Sequence, residues 1–352
     1  MNKEAISKRD FLSGKFAQKE SKRAPEISKI PEGEDYEIFL GLEEKLLDIS
    51  PGFEYFPDGR ISIEESKDGM VAYMAAKQSS YRLEGSNIRN LLPEMDEKGM
   101  AMPILSPDPD LGQNYRGIYS VLKIPGLPEN QRAGFLHLEF HPNGNGEPFK
   151  GSVGIVMSYD NGKTWDEKNI IPIIKGQREY DPFSNKVSGA GEPCAIIINN
   201  RIHLYYVDWT NGYDGVQLAT ASLDNFMTPD SWKHYPTIVV NPPSPKNRTV
   251  WAAMPNVSFN KSIEKYLMLF ETNTGIYYAD SKDGFNWSGS KELFPFKEEM
   301  GNKNKKNWLR YHTLYSPGEE TNLTTTNKGW LLLAKSVDKK PHYLVGYPFE
   351  IT

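Results

Sequence analysis

One carboxylate in this chain stands in a setting suited to side-chain chemistry. Gly191-Glu192-Pro193-Cys194 places a glutamate beside a proline at the head of the apolar run Ala195-Ile196-Ile197-Ile198. The chain then turns at Asn199-Asn200 and returns as Ile202-His203-Leu204-Tyr205-Tyr206-Val207, ending in Asp208-Trp209. A second carboxylate, Asp58, precedes Arg60-Ile61-Ser62-Ile63, and a third lies in Leu138-Glu139-Phe140-His141. Two carboxylates facing one pocket can divide acid and base work: a protonated one gives its proton to a leaving oxygen, and an ionised one takes a proton from water. Hydrolysis of a glycosidic bond with inversion uses this pair at a separation of roughly 6.5–9.5 Å. Arginines and histidines nearby tune or orient such groups. Candidates for that surrounding role, and for binding substrate, are Arg116, Tyr119, His141, Asp208, Trp209, Trp251, Asn256, Arg310, Tyr311 and His312.

These residues are far apart in sequence, so only a repeating architecture brings them together. Five segments pair a β-rich run with a second, more aromatic run after a polar turn. They begin near Arg60, Gly117, Cys194, Pro255 and His312, at steps of 57, 77, 61 and 57 residues. Third strands follow at Val153–Met157, Val216–Thr220 and Gly275–Ala279, each ending in a polar turn and then a tryptophan. A step of this size with short strands predicts an all-β, five-bladed propeller of four-stranded antiparallel blades over residues 35–352, in preference to a β-sandwich. In a propeller the inner strands begin around a central funnel, where Asp58, Arg116, Tyr119, Glu192, Trp251 and Arg310 would converge. Leu42–Leu47 reads as one short helix before the first blade.

Ser158-Tyr159-Asp160-Asn161-Gly162-Lys163-Thr164-Trp165 fits the Asp-box pattern Ser-x-Asp-x-Gly-x-x-Trp, and Ser281-Lys282-Asp283-Gly284-Phe285-Asn286-Trp287 is one residue shorter. Both are expected to be structural turns at the rim: Asp and Ser bond to turn backbone, Gly supplies a positive φ and Trp packs.

Composition narrows the partners. The 352 residues include 19 Tyr, 16 Phe and 7 Trp, and a net charge of -5 provides no cationic field for nucleic acid. No run approaches a membrane span. The single cysteine, Cys194, excludes an internal disulfide and a multi-cysteine metal site. There is no phosphate loop and no His-Glu-x-x-His, so no cofactor is expected; a structural Ca²⁺ in the axial channel, near His312, is the one metal the pattern allows. Residues 1–34 read as a flexible basic arm. Ala5-Ile6 before Ser7-Lys8-Arg9 is not a signal-peptide core, which makes the chain cytoplasmic by default, or secreted if a leader is missing.

The Glu-Pro element, strand, turn and Tyr-Tyr-containing return strand resemble the third blade of the five-bladed propeller glycoside hydrolases of families 32, 43, 62, 68 and 117. That resemblance implies a carbohydrate substrate, Glu192 as general acid and Asp58 as base. In family 43 a second-blade aspartate tunes the acid. None stands near Tyr119, and Glu139 or His141 would take its place. Two other readings remain. A sialidase-like exo-glycosidase would use Arg116, Arg248 and Arg310 as a carboxylate-binding triad, although the start motif Phe/Tyr-Arg-Ile-Pro is absent. A non-catalytic glycan-binding propeller would use the axial aromatics alone. Structural alternatives exist for single residues: Glu192 as a strand cap, Asp58 as an ordinary turn, and Asp208-Trp209 as a packing pair.

Overall fold

The β-branched and aromatic runs of this sequence form strands buried on both faces. Tyr115–Leu122 is buried at all eight positions and Arg201–Asp208 at all but the first. Such strands need a neighbour on either side, and a ring of blades supplies it. The computed structural model describes residues 35–48, 57–142, 148–176, 187–209, 215–240, 252–296, 308–337 and 343–352. The proposed basic arm, Arg248, Trp251 and the loop 302–307 lie outside the described residues.

Blade one runs outward through Ser62–Ser66, Gly69–Ala76, Ser79–Gly85 and Leu92–Pro93. Blade two is Tyr115–Leu122, Arg132–Phe140, Lys150–Ser158 and Ile171–Ile174, and blade three is Ser188–Ile198, Arg201–Asp208, Val216–Ser222 and Lys233–Val240. Blade four is Ala253–Asn260, Lys265–Glu271, Gly275–Ser281 and Lys291–Pro295. Blade five takes Trp308–Tyr315, Lys328–Ser336 and Tyr343–Ile351, then recruits Ile38–Leu40 as its outer strand, with Ile38 opposite Ile351 and Leu40 opposite Phe349. This pairing closes the ring between the two ends of the described chain. Glu44–Leu47 is also a strand, pairing Glu44 with Gly346 and Leu47 with Leu344. The helix read at Leu42–Leu47 is therefore corrected: cross-strand pairing and burial of Leu46 and Leu47 override a weak local preference.

Each blade interface has its own apolar core. Tyr73, Ile118, Leu136 and Trp165 fill the space between blades one and two, and Phe135, Ile155, Leu204 and Trp232 that between two and three. Ile196, Tyr205, Met268 and Phe270 join three to four; Leu269, Leu309, Leu333 and Phe349 join four to five; Ile63, Met74, Trp330 and Leu332 join five to one. The tryptophans after the third strands lie edge-on to an aromatic of the preceding blade: Trp165 on Tyr73, Trp232 on Phe135 and Trp287 on Tyr205. In the turn before Trp287, Asp283 accepts from the backbone N–H groups of Phe285 and Asn286, both at 2.8 Å, and Ser281 accepts from Gly284 N–H. Asp160 accepts from Thr164 in the same manner.

A ring of side-chain hydrogen bonds joins the five inner strands at the axis. Ser62 Oγ accepts from Val121 N–H (3.0 Å), Ser120 Oγ from Ala195 N–H (3.1 Å), Cys194 Sγ from Val257 N–H (3.2 Å) and Thr313 Oγ1 from Ile61 N–H (3.0 Å). Asn256 is the looser link, with Oδ1 3.4 Å from Leu314 N. With its amide turned over, the oxygen instead accepts from Arg60 Nη2 at 3.0 Å. Replacing Thr313 by Val keeps the shape and leaves the buried Ile61 N–H without its acceptor. The expected loss is about 1–3 kcal/mol of unfolding free energy, read from urea titration; an unchanged midpoint would show that the ring does not hold the blades.

The Asp283 turn makes a pH prediction. Partial burial raises its carboxyl, but the N–H and hydroxyl donors outweigh burial and hold it at about 2. Because this lies below the ordinary aspartate value near ~3.9, the turn adds stability above that pH and loses it as pH falls through about 2. Asp283→Asn should therefore lower the thermal midpoint at neutral pH and match the parent more closely in strong acid. A gap independent of pH would contradict this.

Candidate functional site at the propeller axis

Four inner strands bulge: Tyr119 is the extra residue of blade two, between Ile118 opposite Leu136 and Ser120 opposite Phe135, and the other three share a second form at their funnel ends. Glu192-Pro193 stands opposite Tyr206 alone, Met254-Pro255 opposite Phe270, and Tyr311-His312 opposite Leu333, so each strand has one extra residue. The first residue of each of these three bulges is left-handed, with φ of +53° at Glu192, +53° at Met254 and +60° at Tyr311. None is glycine, and a non-glycine residue held there costs on the order of 1–3 kcal/mol. Bulges re-aim side chains. Here Met254 and Tyr311 join Tyr115, Tyr119, Trp209 and Ala75 in one cluster drawn from all five blades.

The carboxylates called from sequence meet at this cluster. Burial pushes the Tyr119 hydroxyl well above the ordinary phenol value, and Asp58, Glu192 and Glu139 each raise it further. Tyr115 and Tyr311 are pushed up in the same way by burial and then by Asp58. All three phenols therefore remain protonated donors. Tyr311 donates to Asp58 Oδ1 at 2.8 Å, while Tyr115 and Tyr119 donate to the Asp58 carbonyl at 2.6 and 3.3 Å. Gly59 matters here: with φ of +146° it lies against the Tyr119 ring, leaving no room for a Cβ. Glu192 Oε2 accepts from Met254 N–H at 2.8 Å, and the Glu192 N–H points at His137 Nδ1, 3.4 Å away.

Glu139 is engaged on both oxygens, by His137 Nε2 at 2.9 Å and His141 Nε2 at 2.7 Å. Burial raises its carboxyl, yet the two imidazoles outweigh burial and hold it at about 2. It is ionised at neutral pH and has no proton to give. Arg310 is ion-paired with buried Glu271, and the electrostatic reach of Glu192 extends to it.

Several sequence expectations are corrected. Arg116 is 2% exposed, and its guanidinium is held by Gln113 (2.7 Å), Glu167 (3.0 Å) and Asp108 (3.2 Å), so it cannot meet substrate. Arg310 is paired to Glu271, so the two described arginines of the sialidase-like triad are both engaged by carboxylates of the protein itself. His312 is fully buried below the funnel. Burial first, and then the charge of Arg60, lower it to about 4, so it is neutral; its ring nitrogens lie near the Leu269 and Met254 backbone without an aligned hydrogen bond. Asn256 is likewise buried in the axial ring. Strand alternation separates Asp208 from Trp209. Asp208 lines a cavity of about 890 Å³ between blades two and three, together with Tyr206, Trp232 and His234. Trp209 is 6% exposed and packs edge-on to His137 and Phe149, which makes it a packing residue and not an open stacking platform.

An axial Ca²⁺ does not fit either. Arg60, buried beside Ser120, places a guanidinium there, and no group of three His, Cys, Asp or Glu suited to a metal occurs among the described residues. Calcium takes several oxygen ligands, carboxylates prominent among them. Sequence reasoning missed His137, Tyr115, Met254 and Glu271. His137 was the legible one, since 137 and 139 share a face of one strand at a period of two.

No protein-family model matches the chain, and no curated protein matches it in sequence. Solved structures do match. The catalytic domain of the Coprinopsis cinerea GH62 alpha-L-arabinofuranosidase is 14% identical, with 87% of this chain and 95% of that one aligned at a TM-score of 0.58. The alpha-L-arabinofuranosidase of Podospora anserina, in complex with cellotriose, is 12% identical over 87% and 95% at 0.56. A family 117 glycoside hydrolase of Zobellia galactanivorans is 13% identical over 90% of both chains at 0.53. The protein thus has the five-bladed β-propeller fold of these glycoside hydrolases. Among the described residues no helix is long and apolar enough to cross a membrane.

Gly191 supplies a test of the site's packing. A Cβ there would fall inside van der Waals contact with His137 Nδ1 and the Trp209 ring. Gly191→Ala should displace the Glu192 bulge and abolish ligand binding at the axis, measured by calorimetry, while the far-UV spectrum stays that of the parent. Unaltered binding would place the functional site elsewhere.

Proposed function

We propose that this protein is a glycosidase that cleaves a glycosidic bond of an oligo- or polysaccharide with inversion, at the axial funnel. The observation that carries the reading is that Asp58 and Glu192, from blades one and three, are each bonded to a member of the one axial cluster, Asp58 to Tyr311 and Glu192 to the Met254 N–H. Glu192, carrying a proton on its carboxyl, gives it to the glycosidic oxygen as the bond from that oxygen to the anomeric carbon breaks. Asp58, ionised and oriented by Tyr311, takes a proton from a water whose oxygen bonds the anomeric carbon from the opposite face. The products are a free alcohol and a sugar of inverted anomeric configuration. Glu139 acts as an orienting group, and the phenols of Tyr115, Tyr119 and Tyr311 hold Asp58. The fold shared with arabinofuranosidases makes arabinose-containing glycans the first substrates to examine. The two Asp-box turns remain structural in this reading.

The test is release of reducing sugar from a panel of arabinans, arabinoxylans, cello-oligosaccharides and nitrophenyl glycosides, with the anomeric configuration of the product followed by NMR. Glu192→Gln and Asp58→Asn are each expected to lower kcat by about 10²–10⁴-fold while binding is retained. Saturable glycan binding by parent and variants, with no sugar released from any member of the panel, would replace the hydrolase with a binding propeller.

A further inference from the structure

We propose that His137 is the positioning residue of this site, held as its Nε2–H tautomer by Glu139 and holding in turn the backbone amide of Glu192. The inference rests on the reading of Glu192 as the acid. Nδ1 accepts from Glu192 N–H (3.4 Å), so that nitrogen carries no proton; the ring proton is on Nε2, which donates to Glu139 Oε1 at 2.9 Å. Glu139 is fixed in turn by His141 Nε2 at 2.7 Å, and His141 N–H by Asn114 Oδ1 at 2.9 Å. Around the imidazole, Tyr115, Tyr119, Phe149 and Trp209 stand with ring centroids 5.4, 5.5, 6.1 and 5.5 Å away, leaving it little freedom to turn.

The bulge explains why such a residue is needed. An extra residue in a strand takes its amide out of the ladder, and a buried amide without an acceptor costs about 1–3 kcal/mol. His137 satisfies the amide of the bulge in blade three, and the Glu192 carboxylate satisfies the equivalent amide of blade four, at Met254. A chain of bonds thus passes from Glu139 through His137 and Glu192 to Met254, fixing the acid at its backbone and at one of its oxygens. Glu139 and His137 touch neither proton of the reaction; they act through the position of Glu192.

Two measurements on the full chain test this. In [15N]histidine NMR, with the His137 signals assigned by their loss in His137→Gln, the parent should show a bare Nδ1 and a protonated Nε2, and Glu139→Leu, which removes the acceptor of the Nε2 proton, should weaken that preference. A parent His137 protonated on Nδ1 overturns the proposal. The second measurement uses leaving groups on the sugar found in the glycan panel. General-acid assistance matters for a methyl glycoside and hardly at all for a 2,4-dinitrophenyl one. Glu139→Gln should lower kcat by about 10²-fold on the first and by less than about threefold on the second, a split that loss of packing alone would not produce. If Glu192→Ala shows that split and Glu139→Gln does not, the relay is wrong and the acid assignment stands. If Glu192→Ala shows no split, the acid reading fails, and the tautomer measurement still decides the state of His137.

Discussion

Each inner strand pairs along its length with the second strand of its own blade, and only short pairings such as Ser188–Gly189 with Lys150–Gly151 and Phe259–Asn260 with Thr324–Thr325 cover its other edge, the rest of which faces the axis. Unpaired backbone N–H groups there are buried, away from water, and each must find an acceptor. This chain solves the problem four times with a short polar side chain from the preceding blade, Ser62, Ser120, Cys194 and Thr313, while Asn256 in the fifth place turns its amide oxygen to Arg60. The arrangement works only when all five blades are present and in register, because every acceptor belongs to a different blade from its donor. Closure of blade five by Ile38–Leu40 is therefore coupled to the axis, and the axis to the funnel above it.

The candidate site is a consequence of the same constraint applied one step higher. Directly before the ring residues of blades three, four and five, the strands bulge, and the left-handed residues Glu192, Met254 and Tyr311 leave the ladder. Their freed groups are satisfied across blades, Met254 N–H by Glu192 and the Glu192 N–H by His137, while the Tyr311 hydroxyl serves Asp58. Strain at these positions is borne by the rigid core beneath, where five separate apolar clusters wedge the blades apart at fixed angles. A site built in this way is preorganised, since its carboxylates are oriented by bonds already formed in the folded protein.

Charge placement follows from burial and pairing together. Burial alone would neutralise Glu139, yet two histidines keep it ionised. His312, with no acid beside it and Arg60 nearby, is neutral. Arg116 and Arg310 each spend their charge on a carboxylate of the protein. Counting charged residues near inner strands could not separate these cases, because the difference lies in partners contributed by distant segments such as Glu167 and Glu271.

The chain's own order of residues determined the architecture: alternating apolar runs at a near-constant step, glycine-bearing turns and a tryptophan after the third strand can be satisfied by few folds other than a five-bladed propeller. It also marked Glu192 and Asp58, since both stand at the heads of inner strands, and all such heads must meet at an axis. Which side of a strand a residue faces was decided only by the tertiary structure. In blade five a single extra residue reverses the alternation, so Tyr311 turned to the funnel and His312 away from it, while in blade two plain alternation put Arg116 on the face opposite Tyr115. The strand at Glu44–Leu47 was likewise decided by a partner some 300 residues away, because a short segment takes the conformation that its neighbour's backbone can pair.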